Sequence, residues 1–269
     1  MDYKFYKVDK EQDIGYIYLN RPEKKNALNY TAFLELPQII SEMDSDDEIR
    51  VIIIGSSGDT FSSGIDLFDM SNEIEEIRNP DQKGHTKWTL IKKIRKLQDT
   101  VNCLQNTDKP TIAAVNGLCI GAGLDLISGC DIRLCSKDAK FSLKEASVGF
   151  VADMGVLQRL PLIIGEGNTR ELAFTARFID SETALRIHLV NEVFEDKSSL
   201  MAGARNIALE IASNSPIAVR ATKRVLNFIS EEQIKRGLDF VASISANIIP
   251  SEDLYEAINA FLEKRRPEF

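Results

Sequence analysis

Histidine is scarce in this chain: His85 and His188 are the only two among 269 residues. Neither stands in a partner motif, so a Ser-His-Asp triad or a histidine-based metal site is not expected. Cysteine is sparse too. Cys103, Cys119, Cys130 and Cys135 lack CxxC spacing, and the last three lie in a largely apolar stretch. Reduced core thiols, and hence a cytosol-like compartment, are expected. Basic charge is not in excess: 33 Lys and Arg against 41 Asp and Glu leave a net charge of −8. That balance argues against nucleic acid or an anionic membrane as the main partner. No clean membrane-length apolar run exists. The best candidate, 111–130, carries Asn116, Asp125 and four glycines, and reads as buried strand, turn and helix. The opening MDYKFYKVDKEQD has no apolar h-region, and RRPEF is not an SKL-type address. A cytoplasmic protein is therefore expected.

What is present is organised around 109–153. Pro110 precedes Thr111-Ile112-Ala113-Ala114-Val115, a charge-free run with the signature of a buried strand. Asn116-Gly117 breaks it, and Gly121-Ala122-Gly123 leads into a short helix whose N-terminus presents free amide donors. Such a terminus suits negative charge, including charge that forms only during a reaction. Asp125 lies just inside that helix; Glu145 follows twenty residues later and Asp153 eight after that. Amide donors beside several carboxylates suggest chemistry in which a carbonyl becomes an oxyanion while a carboxylate moves a proton.

Each acid also has a structural reading. Asp125 can be a helix first-turn acid, Glu145 half of a solvated pair with Lys144, and Asp153 the N-cap of a helix from Met154. Their joint placement in apolar surroundings favours the chemical reading. Gly121-x-Gly123 lacks a third glycine, since position 126 is Leu126, so a dinucleotide site is not expected. Asp66 reads first as a structural hydrogen-bonding acid.

Elsewhere the pattern predicts strands over 3–8, 14–19 and 51–54, with a polar turn over 9–13. A helix over 30–43 should be kinked or split at Pro37. The stretch 55–67 reads as loop and 68–79 as charge-dominated, with a break at Asn79-Pro80. A helix over 88–106 follows, with His85 in the loop before it. Short strands are expected over 131–135, 141–143 and 190–194, and helix from 154 broken at Pro161 and Gly165–Gly167. Ser215-Pro216 starts a helix, Ser230 to Gln233 fits a capping box, and Ser251 starts the last helix. The fold class is α/β layered, with a core over 1–197 that holds the active site and a helical region over 198–269.

Leu19-Asn20-Arg21-Pro22, Asn26-Ala27-Leu28-Asn29, Phe61-Ser62-Ser63-Gly64-Ile65-Asp66 and the run from Ala113 through Gly123 resemble the crotonase (enoyl-CoA hydratase/isomerase) superfamily over nearly the whole chain. Asp125, Glu145 and Asp153, with VGFVADMGVLQRLP and ELAFTAR, are most similar to its Δ3,5-Δ2,4-dienoyl-CoA isomerases. The resemblance implies a crotonase-like spiral of ββα repeats, with C-terminal helices that assemble a homo-trimer or homo-hexamer. It implies an acyl-CoA thioester substrate, with coenzyme A as part of the substrate and no separate cofactor or metal, in fatty-acid β-oxidation. The amides of Ile65 and Ala122 would form an oxyanion hole, each donor contributing about 3 kcal/mol. Asp153 would take a proton from C2, Glu145 would return one at C6, and Asp125 would hold Glu145 and bias its protonation. Arg21, Lys24, Ser63, Asp66, Phe261 and Lys264 would contact the substrate or its CoA. Within the family the rival activities are enoyl-CoA hydratase and Δ3-Δ2-enoyl-CoA isomerase. Outside enzymes, the rival is a non-catalytic crotonase-fold binding module.

Overall fold

The computed structural model describes residues 3–74, 84–263 (except the side chain of Phe261) and 265–269. The predicted break at Asn79-Pro80 lies outside the described residues.

Strands β1 (Tyr6–Glu11) and β2 (Ile14–Leu19) form an antiparallel hairpin that starts a six-stranded sheet. Strands β3 (Val51–Ser56), β4 (Thr111–Val115), β6 (Ile132–Ser136) and β9 (Glu192–Phe194) continue it in parallel, in the order β1-β2-β3-β4-β6-β9. A second sheet holds β5 (Leu118–Ile120), β7 (Lys140–Ser142) and β8 (Ile179–Asp180), in the order β5-β7-β8.

The path between the sheets repeats. From β3 the chain crosses to Ser62, which bridges Cys119 of β5; from β4 it crosses to β5, and from β6 to β7. Each turn thus gives one strand to each sheet before a helix returns the chain. This is the expected spiral. The predicted strand over 14–19 and the core of that over 111–115 stand as read. The three residues of β5 and the two of β8 are too short for a two-residue alternation to register.

Helix α1 (Tyr30–Ser45) continues through Pro37, so the proline does not split it. A proline leaves the carbonyl four residues earlier without its helical donor. Here that carbonyl belongs to Phe33, and the buried Thr100 hydroxyl donates to it at 2.8 Å. Helix α2 (Leu67–Glu73) occupies the stretch read as charge-dominated, because Asp66 caps it by accepting from the Asp69 amide. Helix α3 (Gly84–Asn106) begins four residues before the predicted start, which places His85 in its first turn. The β1–β2 turn is shorter than expected, only Gln12-Asp13, with Gln12 left-handed.

Helix α4 (Ala122–Ser128) is buried on every side. Helix α5 (Val156–Ile164) passes through Pro161, so of the two expected breaks only that at Gly165 occurs, before α6 (Glu166–Thr175). After α7 (Ser181–Arg186) and β9, helix α8 (Lys197–Ala212) lays Leu200, Ala204 and Ala208 on the β2–β3–β4–β6 face. Helices α9 (Pro216–Phe228), α10 (Glu231–Ile248) and α11 (Glu252–Glu263) follow. Ser215 precedes Pro216 as expected, whereas the capping box at Ser230 does not form: its side chain makes no cap hydrogen bond. Such a box closes instead at Asp196 and Ser199, the start of α8. Ala242, Ala246, Ile249 and Leu254 join the main core on the other side of the sheet.

Candidate active site

The site starts with two loops that share a backbone. Asn26 is fully buried and sits at φ 52°. Its amide donates to the carbonyls of Ser57 and Thr60, and its Oδ1 accepts from the Arg21 amide. Leu28 pairs with Gly64 and Asp66 as one rung of parallel strand, and the Ser63 amide donates to Lys25. This stitching fixes the loop over 61–66 beside β5. A Cβ added to Gly64 would stand 3.2 Å from the Ile120 carbonyl, and one added to Gly123 would stand 2.9 Å from Ser62 Cβ. Ile65 follows Gly64 in that loop, and Ala122, two residues after Ile120, is the first residue of α4. Neither residue's amide donates to another group among the described residues.

Gly121 is the turn on which this depends. It caps α4 at φ 51° and ψ −119°, a region that a side chain strongly disfavours. It also lies against Glu145: a Cβ there would stand 2.9 Å from Oε1.

The three acids meet around this point. Asp125 is 1% exposed, and its Oδ1 accepts from the Val156 amide at 2.7 Å. Glu145 opens a single 3-10 turn over Glu145–Val148; its Oε2 is buried with no hydrogen-bond partner among the described residues. Lys144 is no partner to it and lies over the Phe178 ring instead. Asp153 does not cap α5, whose N-cap is Gly155. Its Oδ2 accepts from the Ser245 hydroxyl at 2.5 Å, and its carbonyl accepts from Gln98 at 2.7 Å. The structural readings of Glu145 and Asp153 as ion-pair member and cap thus fail. That of Asp125 holds only in part, since it does sit in the first turn of α4.

Crowding and burial set the electrostatics. Burial above all, then the charge of Glu145, pushes the Asp125 carboxyl well above its ordinary range; the Val156 amide opposes this. Burial, reinforced by Asp153, pushes Glu145 up to about 7 against the amides of its own turn. Burial lifts Asp153 to about 6, restrained by the Ser245 hydroxyl. Three carboxyls crowded together, Asp125 buried and Glu145 and Asp153 half-buried, do not all ionise readily, so they share protons as a group. One member can then serve as base while another holds a proton.

Arg159 is the functional neighbour that sequence reasoning missed. It is 4% exposed on α5, donates to Gln105 and Asn102 of α3, and keeps Nη1 buried without a hydrogen bond among the described residues. A Cβ at Gly155 would stand 1.9 Å from that Nη1, so only glycine fits there. Burial pushes Arg159 down to about 10, and Asp125 pulls it back up. An arginine inside the apolar run VLQRLPLII was the available signal.

The predicted substrate contacts divide into two groups. Arg21, Lys24, Ser63 and Asp66 share one edge. Arg21 donates to Asp66 at 2.8 Å, where Asp66 also caps α2, so these two side chains hold each other. Burial is the largest influence on Asp66 and raises its carboxyl, but the Asp69 amide and Arg21 together outweigh it and hold it low. Lys24 ends the 3-10 turn over Pro22–Lys24 and is exposed. In the second group, Lys264 and the side chain of Phe261 lie outside the described residues. A surface cavity of about 150 Å³ between α6 and α7, lined in part by Arg177 and Arg186, includes none of these residues.

Residues 9–269 match the family described as enoyl-CoA hydratase/isomerase. The chain belongs to that family. It is 41% identical over 259 residues to the peroxisomal Δ(3,5)-Δ(2,4)-dienoyl-CoA isomerase of Arabidopsis thaliana, covering 96% of this chain and 93% of that one. It is 39% identical to the mitochondrial enzyme of that name from Dictyostelium discoideum, covering 100% and 92%. It is 35% identical to a short-chain-enoyl-CoA hydratase of Clostridium acetobutylicum, covering 97% and 95%. Among solved structures, an enoyl-CoA hydratase/isomerase from Pseudoalteromonas atlantica superposes with a TM-score of 0.85 at 30% identity, covering 99% of this chain and all of that one. The crotonase fold read from the motifs is the fold of this chain.

Proposed function

We propose that this enzyme is a Δ3,5-Δ2,4-dienoyl-CoA isomerase. The observation that carries the reading is the meeting of three carboxyls, Asp125 buried and Glu145 and Asp153 half-buried, beside the two undonated amides of Ile65 and Ala122. In the proposed reaction the thioester carbonyl sits between those amides, which hold the negative charge that forms on its oxygen. Asp153, ionised, takes a proton from C2. The resulting dienolate spreads its charge along the conjugated chain, and Glu145, protonated, returns a proton at C6. Asp125 holds Glu145 in place and biases its protonation. Bonds and charge balance without a redox step, so we propose no cofactor beyond the coenzyme A carried by the substrate.

Hydratase is the second reading, and the hydratase relative at 35% identity favours keeping it in view. By family resemblance hydratases have Glu where this chain has Asp125 and no acid where it has Asp153. A spectrophotometric assay decides between them. With a 3,5-dienoyl-CoA the isomerase creates the longer-wavelength absorbance of a 2,4-diene; rapid hydration of crotonyl-CoA without that absorbance overturns the proposal. Calorimetry with an acyl-CoA separates either enzyme from a binding module of other purpose, which would show no affinity.

We infer further that Arg21, Lys24, Ser63, Phe261 and Lys264 contact the CoA portion and that Asp66 holds Arg21 for it. The division at residue 197 belongs to the same proposal, with 198–269 as the assembling region. Helices α9 and α10 expose Ile217, Val225, Leu226, Phe228 and Phe240, an apolar area suited to burial against further copies. This supports a homo-trimer or homo-hexamer. The four cysteines are free, three of them buried, which suits a reducing compartment; we propose the cytoplasm, while the two named isomerase relatives are peroxisomal and mitochondrial. No helix among the described residues is long and apolar enough to cross a membrane.

A further inference from the structure

Serines inside helices usually turn their hydroxyl back onto the carbonyl four residues earlier. On α10, Ser243 does this, donating to Asp239. Ser245, two residues on and fully buried, instead spends its single proton on Asp153 Oδ2, across 92 residues of sequence. A second clamp lies beside it. Gln98 of α3 donates to the main-chain carbonyl of Asp153 and to that of Leu238 on α10. Leu238 and Ser245 are seven residues apart, two turns along one face of α10. Between them the small, buried Ala242 lets the helix come close, and Ala246 does the same after them.

We propose that Ser245 is a positioning residue: its hydroxyl aims the Asp153 carboxylate and favours its ionised form, so that α10 completes the base of its own chain's active site. This rests on the isomerase reading above for the role of Asp153, not for the contact itself. A hydroxyl donor stabilises a carboxylate and has little to offer the protonated acid at the same oxygen. The acids near Asp153 are Glu145 from its turn and Asp125 from α4, while Arg159 of α5 pairs electrostatically with Asp125 and donates to α3. The charge of Asp153 raises both of those acids. From α3 and α10 the facing groups are the neutral Gln98 and Ser245, while the Arg95–Asp239 pair lies half-exposed, on the outside. Ser245 is thus the side-chain donor that favours the charged form of Asp153, together with the amide of Asp153 itself.

The glutamate is held by the C-terminal region as well. Gly149, which closes the Glu145–Val148 turn, packs against α11 so closely that a Cβ would stand 2.8 Å from the Leu254 amide nitrogen.

The test compares wild type, Ser245→Ala and Ser245→Thr by two readouts. The first is the pH dependence of kcat/KM with a 3,5-dienoyl-CoA. The second is the carboxyl titration of Asp153, followed by carbon-13 NMR and assigned with Asp153→Asn. Removing the hydroxyl is expected to raise the Asp153 titration and the acidic limb of kcat/KM together by about one pH unit. Below the limb, activity falls about tenfold, and threonine restores both. If melting falls in Ser245→Ala while the Asp153 titration stays put, the serine is only a packing residue and the inference is overturned. A wild type that does not isomerise the diene overturns the parent reading instead, and the carboxyl titration still decides this one.

Discussion

Gly121 faces the Glu145 carboxyl at the point where the chain enters α4, with no room between them for a methyl group. The helix start that presents the Ala122 amide and the acid assigned to C6 therefore share one wall. Substituting Gly121 by Ala adds a methyl 2.9 Å from Oε1 in a backbone conformation that disfavours any side chain. The expected result is a loss of about 1–3 kcal/mol of stability from backbone strain. Activity should fall further, carried by kcat rather than KM because the displaced groups act on the reacting atoms. Chemical denaturation and steady-state kinetics on the same preparation check both.

The protonation states that the proposed reaction needs bound a narrow window. Asp153 must be ionised, so activity is gained as pH rises through about 6. Glu145 must be protonated, so activity is lost as pH rises through about 7. The profile of kcat/KM for the 3,5-dienoyl substrate should be a bell with its maximum between those values, the limbs belonging to the group of acids as a whole. A flat profile from pH 5 to 9 would remove the acid–base assignment.

The same shift predicts an inverse trade between stability and activity. Glu145 holds its proton more tightly folded than unfolded, its carboxyl moving from 4.5 to about 7. The unfolded chain gives up that proton first as pH rises, so folding loses stability between those values and the whole penalty is present above the folded pKa. Glu145→Gln removes the ionising group. It should stabilise the protein by about 1–3 kcal/mol near pH 8 and by almost nothing near pH 4, while abolishing isomerisation. Urea unfolding at the two pH values measures the difference.

Much of the fold was legible because the strands that build it are apolar and flanked by breakers; β2 and β4 are the clear cases. Pro37 misled because its remedy is not local. The hydroxyl that takes the place of its missing amide comes from Thr100, 67 residues from the carbonyl it serves. Ser230 misled in the opposite sense: the right spacing was present, yet the box closed at Asp196 and Ser199. At the site, the three acids were visible as charges within an apolar stretch, and the glycines marked where backbone comes close. Ser245 and Gln98 gave no such mark. A serine or glutamine on an amphipathic helix is ordinary until the opposing carboxylate is seen. Arg21 and Asp66 were found separately, but their mutual pairing arises only when the chain folds back over a separation of 45 residues.

The hydrogen bond from Gln98 to the Leu238 carbonyl spans 140 residues, more than half the length of the protein. A chain emerging from the ribosome therefore carries its acids long before it carries what holds them. Such a nascent enzyme would be a bystander to any thioester it met, and its chemistry would switch on only once α10 had been made and had docked.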